Sequence, residues 1–200
     1  MITRIPVFTE SIGTDLYGHM LTTEQLNDKV VLAICAQRNV VEDAHKLAHE
    51  TLLEFGSHEK FGCLMVPDLS ALPRFSWPVA KRIILSREAR AKRDLEQAIL
   101  SQNKTYTPPK LWRYIPDWEG KLTRSLLAQS SHPEYAFFKE DRLSSDKLRY
   151  SGSNENRADL RGMLQSFILD YAGNSIHHFP GDHSTSQIVP TLQTMLQNRC

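Results

Sequence analysis

The chain has 200 residues, with 24 lysines and arginines against 23 acidic residues and a net charge of +1. This length fits one domain, and 24% charged with 40% apolar residues is typical of a globular chain, not of a disordered one. The near-neutral charge argues against nucleic-acid binding, and no apolar run is long enough for a transmembrane helix. We see no signal peptide at the start, so we expect a cytoplasmic protein.

Apolar periodicity and turn residues predict alternating strands and helices along most of the chain. In chain order the pattern predicts a hairpin turn at 15–19, a helical turn at 22–26, a strand at 30–36, a helix at 40–55, a strand at 61–66, a long helix within 77–99, a strand at 111–116, a helix at 122–127, a hairpin of 166–170 with 175–179, and a last helix at 185–197. The runs 30–36 and 61–66 are apolar throughout, which is typical of central strands covered by helices on both faces. A helix between them makes these two strands parallel.

The segment 74–104 is the most distinctive part of the sequence, with eight lysines and arginines and only three acids. One interpretation is a solvated helix whose apolar stripe, from Trp77 to Ile99, covers the core or packs on a second copy of the chain. The other is a basic amphipathic helix that docks an acidic protein or an anionic membrane surface. The interspersed acids weaken the membrane version. The candidate partner-binding residues are Phe75, Trp77, Arg82, Arg87, Arg90 and Arg93.

Three segments carry a resemblance to a known fold family. Asp15-Leu16-Tyr17-Gly18 followed by Lys29-Val30-Val31-Leu32, the acidic turn at 117–122, and 167–176 before the last helix resemble thioredoxin-like domains of the redoxin and thiol-disulfide reductase type. The match covers 12–67 and 111–197, with a helical, basic insertion at 68–110 and a polar one at 130–165. It implies a single α/β domain over 1–200, with a central mixed sheet and helices on both faces.

The redox centre of that family is missing from this sequence. Counted from Lys29, the two cysteines of the family's CxxC motif fall on Val40 and Asp43, and neither side chain can form a thiolate. The family's cis-proline position falls on Leu164, with Pro133 as the alternative if the alignment shifts. The resemblance therefore implies the fold without its chemistry, and we expect no cofactor.

The cysteines Cys35, Cys63 and Cys200 are odd in number and widely spaced, which is not a disulfide framework. Cys35 and Cys63 lie in apolar strands that are parallel neighbours in a thioredoxin-like sheet. Their offset of about four residues corresponds to about 13 Å, beyond the reach of a disulfide. We expect these two cysteines to be unbridged and the terminal Cys200 to be exposed.

The histidines offer a weak alternative in the form of a metal site. His45 and His49 share a helix face at a spacing that can hold a metal, but the glutamate of the HExxH motif is replaced by Lys46. A second group follows in 177–183. Because neighbouring strand residues point to opposite faces, His177 and the residue after it cannot easily share an ion. A site that combines His45, His49, His177 and His183 stays open, although ordinary surface histidines are the favoured interpretation and we expect no metal.

Two functions from different classes follow from these observations. The favoured hypothesis is a redox-inactive, non-catalytic thioredoxin-like domain that serves in protein–protein interaction or assembly, with the insertions as its specific surface. The alternative is a divergent peroxidase or reductase that uses the single thiol of Cys35. That enzyme would need an exposed, electropositive setting for Cys35, and Arg38 is the sequence hint of one. A homo-oligomer is compatible with either hypothesis.

Overall fold

The computed structural model describes residues 3–4, 11–135, 162–170, 175–181 and 184–198. Its strands are β1 Thr3–Arg4, β2 Ser11–Thr14, β3 Met20–Thr22, β4 Val30–Ala36, β5 Phe61–Pro67, β6 Trp112–Tyr114, β7 Gln165–Asp170 and β8 Ser175–Pro180; its helices are α1 Val41–Phe55, α2 Trp77–Ser101, α3 Lys121–Leu127 and α4 Ser184–Gln197. Short 3₁₀ turns occupy Thr23–Leu26, Arg38–Val40, Arg74–Ser76 and Pro133–Tyr135. The predictions for Cys200, for His183 and for most of the polar insertion, 136–161, lie outside the described residues.

The main sheet has the strand order β1-β8-β7-β4-β5-β6. β4 is parallel to β5 and β5 to β6, whereas β7 is antiparallel to both β4 and β8. The parallel pair joined by α1 and the closing hairpin β7–β8 confirm the predicted strand–helix–strand unit and last hairpin. The sequence pattern missed β1, because two residues that extend β8 are too short to show a period.

Helices cover both faces of this sheet, as predicted. Every residue of β4 is buried, and alternate side chains enter two separate apolar clusters. One cluster holds Leu32 and Ile34 under α1, α2 and α4; the other holds Val31 and Ala33 under α3 and the separate hairpin β2–β3. A strand with two buried faces explains the unbroken apolar run at 30–36.

Two turns lie where the sequence predicted them, at 15–19 and at 117–122. Gly18 has φ +91° in the turn between β2 and β3, where Asp15 Oδ1 accepts the backbone N–H of Tyr17 at 2.9 Å and of His19 at 2.8 Å. Ahead of α3, Gly120 has φ +68°, and Asp117 Oδ2 accepts the Thr123 backbone N–H at 2.7 Å. These turns fix the entry hairpin and the start of α3 at the positions that the sequence predicted.

The apolar stripe of α2 packs on this chain's own core. Ile84 and Leu95 are buried in the cluster beneath α1, and Ala91 and Ile99 pack against it. The interpretation in which the stripe packs on a second copy is therefore wrong. Its residues instead attach the insertion at 68–110 to the sheet.

Candidate functional site

The positions that the resemblance assigns to a cysteine pair lie where β4 gives way to α1. Val40 ends the 3₁₀ turn Arg38–Val40, and Asp43 lies in the first turn of α1 beside Glu42. Carboxylates at a helix start complement the positive end of the helix dipole. This arrangement stabilises the helix but supplies no sulfur nucleophile.

The loop that faces the start of α1 is held to it by a direct hydrogen bond. Asn39 Nδ2 donates to the Gly162 carbonyl at 2.8 Å. Leu164, two residues further along the chain, immediately precedes β7. Leu164 is buried, and its carbonyl accepts the Gly181 N–H at 2.7 Å. Because β7 pairs with β4, Leu164 lies beside the carboxyl end of β4, whereas Pro133 begins a 3₁₀ turn beyond α3.

Cys35 and Cys63 are free, buried thiols on opposite faces of the sheet. Cys35 pairs with Val66 and Cys63 with Leu32, so the offset is three residues, about 10 Å, not the four expected. An odd offset turns the two side chains to opposite faces, which excludes a bridge.

Neither buried thiol has surroundings that favour a thiolate. Burial raises the pKa of the Cys35 thiol well above its usual range, and the carboxylates of Asp117 and Asp68 raise it further. Burial alone raises the pKa of Cys63 to about 12. Arg38 is exposed, and the charges that act on Cys35 are negative.

Two of the candidate metal ligands, His45 and His177, lie far apart. The Tyr114 hydroxyl lies 3.4 Å from Nδ1 of His45, which places this histidine near β6, whereas His177 lies on β8. These strands are four spacings apart in the sheet, about 19 Å. Among the described residues, no three histidine, cysteine or acidic side chains cluster as a metal site.

A buried polar network around His178 was not predicted. Ser130 Oγ lies 2.7 Å from His178 Nδ1, and His178 Nε2 lies 2.7 Å from Gln165 Oε1. Since the Gln165 oxygen can only accept, Nε2 carries the proton and Nδ1 accepts from the Ser130 hydroxyl. Burial, followed by the nearby His132, lowers the pKa of His178 to about 3, so its ring is neutral at physiological pH.

The same network has a stabilising role in the fold. A serine bonded to a histidine can be an activated nucleophile, but Ser130 is completely buried and its oxygen also accepts the His132 N–H. His178 stacks on Phe167 with ring centroids 4.4 Å apart. The network therefore joins three distant segments of chain, which is why no local sequence signal revealed it.

An exposed apolar ridge runs from the 3₁₀ turn before α2 onto the outer face of that helix, and we define it as Phe75, Val79 and Ile83. Their exposed fractions are 85%, 60% and 52%. The spacing of four residues places Val79 and Ile83 side by side along α2, away from the buried Ile84, and Phe75 precedes Val79 in the 3₁₀ turn. This ridge extends the predicted candidate Phe75 to two residues that the sequence analysis did not single out.

The cations beside the ridge differ in how far they are already paired. Arg87 Nη1 lies 3.1 Å from Glu42 Oε1, and Arg90 Nε lies 3.6 Å from Asp94 Oδ2. Arg74, next to Phe75, pairs with Glu119. Three further cations of α2, Lys81, Arg82 and Arg93, make no ion pair to a described residue. These three are therefore the cations available to a partner.

Trp77 lies on the inner side of α2, away from the ridge. Its ring is 5.0 Å from that of Trp118, centroid to centroid, and its indole N–H donates to the Leu72 carbonyl at 3.4 Å. Both rings line an open groove of about 530 Å³ next to α3. Among the predicted partner-binding residues, Trp77 thus belongs to the attachment of the insertion more than to its outer surface.

The inner face of α2 also buries an acid that the sequence pattern did not reveal. The Glu88 side chain is 3% exposed, and its Oε1 lies 2.6 Å from Lys92 Nζ. Glu88 raises the pKa of Tyr17, after the larger effect of burial, and Lys92 lies 5.9 Å from the Tyr17 ring centroid. This pair ties the helix to the turn between β2 and β3.

Comparison with known proteins finds likeness at the level of structure only. No protein-family model and no curated protein sequence matches this chain. The exposed lipoprotein thioredoxin Etrx1 of Streptococcus pneumoniae strain TIGR4 is similar with a TM-score of 0.49 and 13% identity, over 92% of this chain and 97% of that one. A thioredoxin-family thiol:disulfide interchange protein of Chlorobium tepidum TLS gives 0.46 and 13%, over 98% and 97%. BsSco, of the Sco family of cytochrome c oxidase assembly proteins, gives 0.49 and 10%, over 98% and 95%.

The order of elements defines the fold without reference to those proteins. β4, α1 and β5 form the parallel unit, α3 covers the opposite face, and β7, β8 and α4 close the sheet. Within the described part of the chain, no helix is both long and apolar enough to cross a membrane. This topology is the one implied by the sequence resemblance, and the chain has a thioredoxin-like fold.

Proposed function

We propose that this chain is a redox-inactive thioredoxin-like domain that binds a protein partner, as an interaction or assembly module. The observation that carries the proposal is the apolar ridge on α2, whose three side chains are each more than half exposed. An exposed apolar patch with a polar rim is typical of a protein–protein contact. The inner stripe of the same helix already attaches it to the core, so the ridge is not needed for packing within this chain.

The surroundings of the cysteines support the redox-inactive part of the proposal. The positions equivalent to the family's cysteine pair hold Val40 and Asp43, and Cys35 is buried beside carboxylates. The alternative enzyme, which uses Cys35 with Arg38, needs the opposite setting, because a reactive thiol requires exposure and nearby positive charge. We therefore favour the interaction module over the single-cysteine enzyme.

Charge favours an acidic partner at the ridge. Lys81 and Arg82 come two and three residues after Val79 on the helix and have no ion pair with a described residue. A second copy would bring the same positive charges against them, which disfavours a symmetric dimer through this face. An anionic membrane is the weaker candidate, since Asp94 and Glu96 on the same helix repel it.

Site-specific photo-crosslinking in cells tests this proposal. A photoreactive side chain at Val79 should give a discrete product with a protein partner. The same side chain at Gln193, which is exposed on α4, serves as the matched control and should give none. A product of twice the chain mass would instead identify a second copy, which contradicts the proposed acidic partner.

Charge reversal then tests the chemistry of the partner. We expect Lys81→Glu with Arg82→Glu to lower the yield of the Val79 product roughly tenfold, whereas Lys121→Glu, outside the ridge, should leave it unchanged. Equal products at Val79 and Gln193, or no product at either position, would overturn the proposal.

A further inference from the structure

A cavity of about 210 Å³ lies at the edge of the sheet opposite to the start of α1. Lys29 and Lys110, which line it, come just before β4 and β6, and both strands run parallel to β5. The amino ends of these strands therefore meet at this edge. Val40 and Asp43 instead follow the carboxyl end of β4, so the cavity is separate from the position of the family's redox centre.

Positive charge dominates the wall of this cavity. His19, Lys29, Lys110 and Arg113 line it, and Asp15 is the one carboxylate among its described lining residues. Lys29 Nζ donates to the Glu59 carbonyl at 3.1 Å, and Lys110 pairs with the Glu59 carboxylate. Among the described residues, Arg113 makes one ionic contact, Nε to Asp15 Oδ2 at 3.9 Å, so most of its five N–H donors stay available there. Such a wall attracts an anion.

Asp15 adds an acceptor that lacks a hydrogen bond. Its side chain is 3% exposed, and Oδ1 is used by the backbone N–H groups of Tyr17 and His19. Oδ2 has no hydrogen bond in the described part of the chain; the nearest basic atoms are His19 Nδ1 at 3.4 Å and Arg113 Nε at 3.9 Å. Buried carboxylate oxygens are rarely left in this state, because the loss of hydration is not compensated. The site therefore calls for a ligand that is anionic and also donates a hydrogen bond.

We propose that this cavity binds a phosphate group that carries a proton, with hydrogen phosphate as the simplest case. Arg113 and Lys29 would neutralise its charge beside the Lys110–Glu59 pair, and Asp15 Oδ2 would accept the hydrogen bond of its P–O–H group. Sulfate has a similar shape and charge but no proton at neutral pH, so its oxygen would face the Asp15 oxygen with no hydrogen between them. Asp15 thereby selects phosphate over sulfate. The site shares no residue with the ridge on α2, and the two can be tested separately.

Isothermal titration of the full chain with phosphate and with sulfate, at equal ionic strength and neutral pH, tests the proposal. We expect phosphate to bind and sulfate to bind roughly tenfold more weakly or worse, because one buried acceptor is left unpaired. Asp15→Asn keeps the Oδ1 acceptor for the turn and places an N–H₂ donor where Oδ2 was. This variant should therefore gain sulfate binding and lose preference for phosphate.

Two further variants keep the test independent of folding defects. Arg113→Gln should weaken both anions, and Lys81→Gln, on α2, should weaken neither; circular dichroism checks that each variant is folded. Vesicles that contain phosphatidic acid, set against pure phosphatidylcholine, distinguish a lipid headgroup from free phosphate as the source of the group. Equal affinity for phosphate and sulfate in the unmodified chain, or no heat with either anion, would overturn the proposal.

Discussion

The two faces of helix α2 use apolar residues in different ways. On the inner face Ile84 and Leu95 are buried in the core, and their burial supplies the free energy that attaches the insertion. On the outer face the ridge of Phe75, Val79 and Ile83 is exposed and contributes little to folding. The stability of this chain therefore accounts for the apolar residues of the inner face only, and the outer face is the surface to which we assign the proposed partner.

A similar contrast separates α2 from the start of α1. At α1 the residues equivalent to a redox pair are Val40 and Asp43, and the facing loop is held by the bond from Asn39 to Gly162. The family's usual functional position thus offers ordinary helix-start chemistry, whereas the insertion offers exposed apolar and positive surface. This contrast is the basis for placing function on the insertion.

The largest effect is expected from two neighbouring isoleucines on opposite faces of α2. Ile84→Ala should lower the free energy of unfolding by about 2–5 kcal/mol, because it leaves a cavity in the core. Ile83→Ala should change it by no more than about 0.5 kcal/mol, since Ile83 is 52% exposed. Urea unfolding measures both values, and equal losses would break the comparison between the two faces.

A second test uses the face of the sheet that α3 covers, opposite to α2. There the buried polar group is the neutral imidazole of His178. The pKa of His178 is about 3 in the folded chain, against about 6.5 when unfolded. Between these values the unfolded chain binds a proton that the folded chain does not, so stability falls as the pH drops below about 6.5. The expected slope is about 1.4 kcal/mol per pH unit, and the contribution vanishes above neutral pH.

His178→Gln removes this titration and should flatten the loss of stability between pH 6.5 and pH 4. Urea unfolding of both proteins across that window gives the two slopes, and their difference cancels the carboxylates that also titrate there. A variant slope as steep as that of the unmodified chain would mean that His178 is not buried as a neutral ring.

A smaller effect is expected from the buried acid on the inner face of α2. Lys92→Met leaves the Glu88 carboxylate without its partner and should cost about 1–2 kcal/mol, because Lys92 is itself partly exposed and water replaces part of the interaction. Lys81→Met, at an exposed position earlier on the same helix, is the control and should be close to neutral. Thermal or urea unfolding compares the two. If Lys92→Met lowers the free energy of unfolding no more than Lys81→Met does, the Glu88–Lys92 pair does not stabilise the helix.

The sequence predicted the fold where a local period was strong. The apolar run at 30–36, the steps of three and four at 40–55 and the turn at Gly18 each appear at their predicted positions. The strand offset between Cys35 and Cys63 was wrong by one residue, because register depends on pairing across the sheet.

The candidate site was harder to predict than the fold. His178, Ser130 and Gln165 meet only through the tertiary fold, so no local spacing announces their network. The ridge was partly visible, since Phe75, Val79 and Ile83 follow a spacing of four, but the stronger stripe through Ile84 and Leu95 obscured it. A helix with two apolar faces requires the structure to show which face is covered.

Thiol labelling of the native protein is the sharpest test of whether this domain is redox-inactive. The folded chain is treated with a maleimide at neutral pH, with and without hydrogen peroxide, and each adduct is located by mass spectrometry. We predict that Cys35 and Cys63 stay unlabelled until the chain is unfolded, because both are buried, and that only the terminal Cys200 reacts. Rapid labelling of Cys35 that peroxide blocks would contradict the redox-inactive module and establish a reactive single cysteine.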